Sequence, residues 1–181
     1  MADRTPQQEF EARLLGVERK GVYDLWEWLQ GTDFLRAPAS TRWHGAHEGG
    51  LVEHSLAVLD RHFERGLPEA SMALCALLHD VCKADCYVQD FRNVKDERGQ
   101  WHRVPCYKFE EKFPFGGHGA KSVYLVQHFV DLKPEEAAAI NCHMGQFEAT
   151  QYGRPSDVYA KNALAWALHV ADEAASFIDN K

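Results

Sequence analysis

Met72-Ala73-Leu74-Cys75-Ala76-Leu77-Leu78 carries no charge and runs directly into His79-Asp80-Val81-Cys82-Lys83. The run reads as a central buried helix over Ala70 to Lys83. A helix that avoids solvent and ends in an imidazole and a carboxylate must satisfy both groups, because burying them unpaired costs several kcal/mol. A metal ion is one partner that serves both. Donors of the same two kinds recur along the chain at His54, His118, His143 and Asp172.

Upstream, a helix is expected from Glu48 or Gly50 to Arg65. Leu51, Ser55, Leu56, Val58, Leu59 and Phe63 form its buried side, which turns His54 inward with them. Gly66 and Pro68 end it. Pro6 to Leu29 reads as helical, with Phe10, Leu14, Leu25 and Trp28 at mixed spacings and Gly16 and Gly21 as points where it breaks in two. Thr32 to His47 is loop-like. Downstream, helices are expected from His118 to Val130 and from Pro134 to Met144, the latter with Glu135 and Glu136 near its positive end. A long last helix, capped by Ser156 or Asp157, reaches Phe177. Between them, Val88, Phe91, Val94 and then Trp101, Val104, Tyr107, Phe109 flank the polar turn of residues 96–100, which is a hairpin pattern. The fold class expected is all-α, one domain over residues 1–181. Residues 1–40 would be a helical extension and 42–178 the core, with a β-hairpin insert around residues 87–109.

Taken singly, each donor has an ordinary structural reading. His54 on an apolar face suits a hydrogen-bonded core histidine. Asp172, in a nearly uncharged helix, would be served by an Arg or Lys. His118 follows Gly116-Gly117 and suits a helix cap, and His143 suits a surface position beside a loop. Their ordered co-occurrence favours metal binding. Imidazoles with carboxylates suit Mn, Fe, Zn, Co or Ni better than Ca.

That order, His…His-Asp…His…His…Asp, resembles the HD-domain superfamily of metal-dependent phosphohydrolases over roughly residues 42–178. The motifs are Gly49-Gly50-Leu51-Val52-Glu53-His54, His79-Asp80-Val81-Cys82-Lys83, Gly117-His118-Gly119, Asn141-Cys142-His143 and His169-Val170-Ala171-Asp172. The first is similar to HD domains of bacterial 3′-to-5′ exoribonucleases. The size and the insert resemble small stand-alone HD proteins often encoded by prophages. Cys82 departs from the family, which usually has Gly before the Lys. The resemblance implies a helical bundle holding one or two divalent transition-metal ions (Mn, Fe, Zn, Co or Ni). It implies that His54, His79, Asp80 and Asp172 hold one metal, with Asp80 bridging to a second held by His118 and His143. It also implies that Lys83 contacts phosphate or developing charge, and that His44 and His47 are rim residues able to bind phosphate or protonate a leaving group. The plain counterparts are a helix C-terminal cation for Lys83 and loop histidines without a role. Lys121 is a weaker phosphate candidate, and His169 belongs to the core or behind the ligands. His62, His102 and His128 have no family counterpart. Cys82 and Cys86, one helical turn apart, suggest a metal clip, but no second Cys pair accompanies them.

The formal net charge of −7 argues against non-specific binding of nucleic acid or anionic membranes, which needs a basic face. It leaves room for a small phosphorylated substrate of nucleotide type. Nucleic acid enters only as a short substrate. The longest apolar run is far below the roughly 20 residues of a membrane span. No leader pattern opens the chain, and five cysteines without a paired framework read as reduced thiols, so a cytoplasmic location is expected. The function expected is hydrolysis of a phosphate ester or anhydride through a metal-activated hydroxide. The alternatives are a 3′-to-5′ nuclease or phosphodiesterase, an HD-type di-iron oxygenase, and a non-enzymatic metal-stabilised module. The number of ions and the oligomeric state stay open at this point.

Overall fold

A computed structural model describes residues 4–61, 66–147 and 154–178. The helices are α1 (Pro6–Leu15), α2 (Val22–Gln30), α3 (Gly50–Arg61), α4 (Glu69–Leu78), α5 (His118–Gln127), α6 (Pro134–Cys142), α7 (Pro155–Tyr159) and α8 (Ala163–Phe177). Two short 3-10 turns, Val81–Lys83 and Gly145–Phe147, and two strands, β1 (Tyr87–Lys95) and β2 (Trp101–Phe109), complete the described residues. No described helix is long and apolar enough to cross a membrane.

The all-α expectation is overturned. Each strand is nine residues long and they pair antiparallel throughout, from Tyr87 opposite Phe109 to Lys95 opposite Trp101. The class is therefore mixed α/β, helix-rich with one two-stranded sheet. The hairpin itself lies where the alternation placed it. Its turn is closed by Asp96, whose Oδ1 accepts from the backbone N–H of Arg98 and Gln100 at 2.9 and 2.8 Å.

Helix α4 is the hub of the packing. Leu74, Leu77 and Leu78 join Phe10, Leu25 and Phe34 in one apolar cluster. Met72, Cys75 and Ala76 join Ile140, Leu164 and Leu168 in a second. The first helical stretch breaks in two at Gly16 and Gly21 as expected, Gly21 standing at a φ of 86° that only glycine adopts cheaply. Several boundaries differ from expectation. Helix α4 stops at Leu78 rather than Lys83. Asn162 caps the last long helix, accepting from Leu164 and Ala165 N–H, and Pro155–Tyr159 is a separate short helix. Phe63 and His62 lie outside the described residues.

One buried carboxylate holds α6 to the rest. Glu136 accepts from Arg19 (2.9 and 3.2 Å), the Ser71 hydroxyl (2.6 Å) and the Lys133 N–H (2.8 Å). Burial raises its pKa, but Arg19 and Ser71 outweigh that and hold it below the usual carboxylate range. A carboxylate depressed on folding contributes stability above its unfolded pKa, near 4.5, and that contribution is lost as pH falls through the lower folded value. Glu136→Gln is expected to cost about 3 kcal/mol at pH 7 by stranding Arg19. The difference from wild type should shrink in denaturant titrations repeated at pH 4 or below. An unchanged difference would contradict this reading.

Candidate metal centre

Helix α3 buries Leu51, His54 and Val58 on one side, which fixes His54 toward the core. His79 and Asp80 occupy the break after α4, His143 follows the last residue of α6, and Asp172 lies in α8. His118 opens α5, with Gly117 rather than its own side chain at the cap position. Gly119 allows the approach of α5 to α6, since a Cβ there would stand 2.4 Å from the Asn141 carbonyl oxygen. At the other end of the site, a Cβ on Gly50 would stand 2.0 Å from the Gly45 oxygen, so the loop bearing His44 lies directly on α3.

Two histidines use one local device. The Nδ1–H of His79 donates to the Ala76 carbonyl at 2.8 Å, and that of His143 donates to the Ile140 carbonyl at 2.7 Å. Each bond satisfies a carbonyl at a helix end and turns the Nε2 lone pair of the ring inward. Their Nε2 atoms meet His54 and the two carboxylates. His54 Nε2 stands 3.2 Å from His79 Nε2, 3.1 Å from Asp172 Oδ1 and 3.9 Å from Asp80 Oδ2. His79 Nε2 stands 3.5 Å from Asp80 Oδ2 and 3.7 Å from Asp172 Oδ1, and His143 Nε2 is 3.5 Å from Asp80 Oδ1. Ligands bound at about 2.0–2.2 Å to one ion stand roughly 3–3.5 Å apart, so these separations approximate a coordination shell. The five residues are 0–7% exposed. Among the described residues, Asp80 Oδ1 and His143 Nε2 have no hydrogen-bond partner other than each other's facing atom at 3.5 Å, an arrangement that costs free energy unless a proton or a cation is shared between them. The residues fit a divalent metal ion.

His118, the remaining expected ligand, reaches the cluster through Asp80. Three donor groups lie mutually within 4.8 Å: His54 with His79 and Asp80, His79 with His143 and Asp172, and Asp80 with Cys82 and His118. Asp80 links the first group to the third, which places His118 beside Asp80 together with Cys82. In the family resemblance Cys82 is only a departure from the usual Gly, with no ligand role. Its signals in the sequence are its position two residues past Asp80 and its spacing of one helical turn from Cys86.

Charges agree with this packing. Burial pushes the Asp80 carboxyl up, but Lys83, His79 and the facing His143 outweigh it and hold it well below the usual range. Asp172 is likewise raised by burial and brought below the usual range by the hydrogen bond from His54 and by His79 and His143. Burial pushes His54 down, whereas contact with Asp80 overcomes burial and raises His143.

Lys83 is buried, its ammonium 2.7 Å from Asp80 Oδ2 and donating to the Ala39 carbonyl at 2.8 Å. It does not continue a helix from His79, because the chain turns at Asp80 and folds Lys83 back. His44 lies at the rim, its ring centroid 4.9 Å from that of His54 and its Nε2 3.5 Å from the Ser176 hydroxyl. Burial and the fields of His54 and Lys83 push it down to about 4, so its ring is neutral near pH 7. His47 is exposed, paired with Glu53 at 2.8 Å, and the structure does not bring it to the cluster. Lys121 is held by both oxygens of Glu111 at 2.9 Å. His169 backs the cluster, donating Nδ1–H to the His143 carbonyl at 2.7 Å and stacking on Tyr159. His102 pairs with Asp96 and His128 with the Tyr124 carbonyl, both on the surface.

Comparison with known proteins finds no matching family model, no matching curated protein and no matching solved structure.

Proposed function

We propose that this chain is an HD-type metal-dependent phosphohydrolase acting on a phosphate ester or anhydride of a nucleotide-type substrate. The observation that carries the reading is the convergence of three imidazole Nε2 atoms on two carboxylates, two of the rings held in the ligating orientation by backbone carbonyls. A bound divalent ion supplies Lewis acidity and lowers the pKa of water. The chain's own residues do the rest. His54, His79, Asp80, His143 and Asp172 bind and position, with His118 and Cys82 beside Asp80. Burial of the cluster excludes bulk water. Lys83 places a fixed positive charge beside Asp80, where charge developing on phosphate oxygens would be stabilised. In the net reaction water adds to phosphorus, the bond to the leaving oxygen breaks, and that oxygen takes up the proton released from water. A cytoplasmic location and a small soluble substrate belong to the same proposal.

The test is a screen of nucleoside mono-, di- and triphosphates, cyclic nucleotides and short RNA with the protein loaded with Mn, Fe, Co, Ni or Zn, run with and without air. Phosphate release that proceeds anaerobically is expected. Turnover that requires O₂ would replace the proposal with the oxygenase reading, and no turnover by metal-loaded protein on any of these substrates would refute it.

A further inference from the structure

The register of the hairpin sorts its side chains onto two unlike faces. Residues at odd positions of both strands share one face, because successive side chains alternate and partners pair directly. Tyr87, Phe91, Trp101, Tyr107 and Phe109 all fall there. The charged residues of that face are Lys95 and Arg103, and no carboxylate accompanies them; Asp90 lies on the opposite face with Arg92. Phe91 and Trp101 are 54% and 67% exposed. The Arg103 guanidinium carbon lies 4.3 Å from the Phe91 ring centroid, and Lys95 Nζ lies 5.6 Å from that of Trp101. Neither cation makes a salt bridge among the described residues.

The face is continuous with the metal cluster. At its base the Tyr87 hydroxyl donates to the Ala39 carbonyl at 3.1 Å, the same oxygen that accepts from Lys83. The Phe109 ring centroid lies 5.9 Å from that of His118. From there nine paired residues extend about 30 Å outward. Alternating rings and cations on a face without acids match the chemistry of single-stranded nucleic acid, whose bases stack on aromatic rings and guanidinium planes while phosphates meet the cations. The net charge of −7 weighs against a protein-wide electrostatic grip, but stacking needs only this local face.

We propose that this face of the hairpin binds single-stranded nucleic acid and leads it to the metal cluster. The leading part rests on the proposed hydrolysis; the binding part stands without it. The experiment is fluorescence anisotropy with the full chain as purified and 5′-fluorescein-labelled ten-nucleotide oligo-dT and oligo-U, comparing wild type with exposed-residue variants. Saturable binding of either oligonucleotide is expected, and the stronger ligand identifies the sugar. Trp101→Ala combined with Phe91→Ala should weaken it at least tenfold. Two phosphate contacts predict about a sevenfold weakening between 50 and 200 mM salt. Arg103→Glu should weaken binding at least tenfold and Arg92→Glu, on the other face, less than threefold. No saturable binding would overturn the proposal, as would equal losses in the two charge variants. So would sedimentation showing that wild type self-associates and Trp101→Ala dissociates it, since a second copy would then cover the face. Cleavage is read separately from the length of recovered oligonucleotide: binding without cleavage in any metal overturns the leading of the strand to the cluster, whereas the hydrolase reading itself falls only if the nucleotide substrates are not turned over either.

Discussion

Asp80→Asn is expected to give a protein that neither retains a transition metal nor turns over substrate. Asp80 faces His54 and His79 through Oδ2 and His143 through Oδ1, and its Oδ2 lies 2.7 Å from the Lys83 ammonium. It also joins the group that contains His118 and Cys82. Removing its charge strands the buried ammonium of Lys83, which should cost about 3–5 kcal/mol of stability. Loss of activity alone would therefore be ambiguous. The double variant Asp80→Asn/Lys83→Met removes both charges and should recover most of that stability while remaining without metal and without turnover. His128→Ala, at an exposed ring bonded to the Tyr124 carbonyl, should retain both. Full metal content in the folded double variant would show that Asp80 is not a ligand.

Lys83→Ala is expected to keep its metal and lose turnover by roughly 10²-fold or more, the range found when a charge-stabilising donor is removed from an active site. Burial lowers the pKa of this ammonium and Asp80 raises it, and the balance lies above the ordinary lysine value, so it stays charged across the physiological range. Without metal, the variant leaves Asp80 buried without its counter-ion and should be less stable by about 3–5 kcal/mol. Metal should restore that stability, because the ion replaces the lost cation. Elemental content, thermal unfolding with and without metal, and turnover separate the cases. Normal turnover in the metal-loaded variant would reduce Lys83 to a counter-ion of Asp80. Loss of metal together with turnover would make it part of the binding site.

Much of the centre was legible because helical spacing carries direction. Leu51 and Val58 flank His54 at three and four residues, and that alone turns its ring to the core. Asp172 in an almost uncharged helix signalled a buried carboxylate in the same way. The break at Leu78 was not legible, since no Gly or Pro marks it and the apolar period continues through Val81. The turn there arises when His79 Nδ1 donates to the Ala76 carbonyl, a side-chain bond that spacing does not encode. The same blindness hid the proximity of Cys82 to His118, a contact between the turn after α4 and the start of α5. The hairpin was read from its alternation, yet calling it an insert in an all-α chain understated a nine-pair sheet. His44 and His47 are three residues apart in one loop, and only the close contact of Gly45 with Gly50 decides that the first faces the cluster and the second does not.

The hydrolase proposal depends on a metal ion in the buried cluster. Elemental analysis of protein purified without chelator, repeated after dialysis against Mn, Fe, Co, Ni and Zn in turn, tests it most directly. One or two ions per chain are expected, bound tightly enough that chelator lowers the unfolding temperature. Protein that stays metal-free with every ion offered, and whose unfolding temperature chelator leaves unchanged, would contradict it.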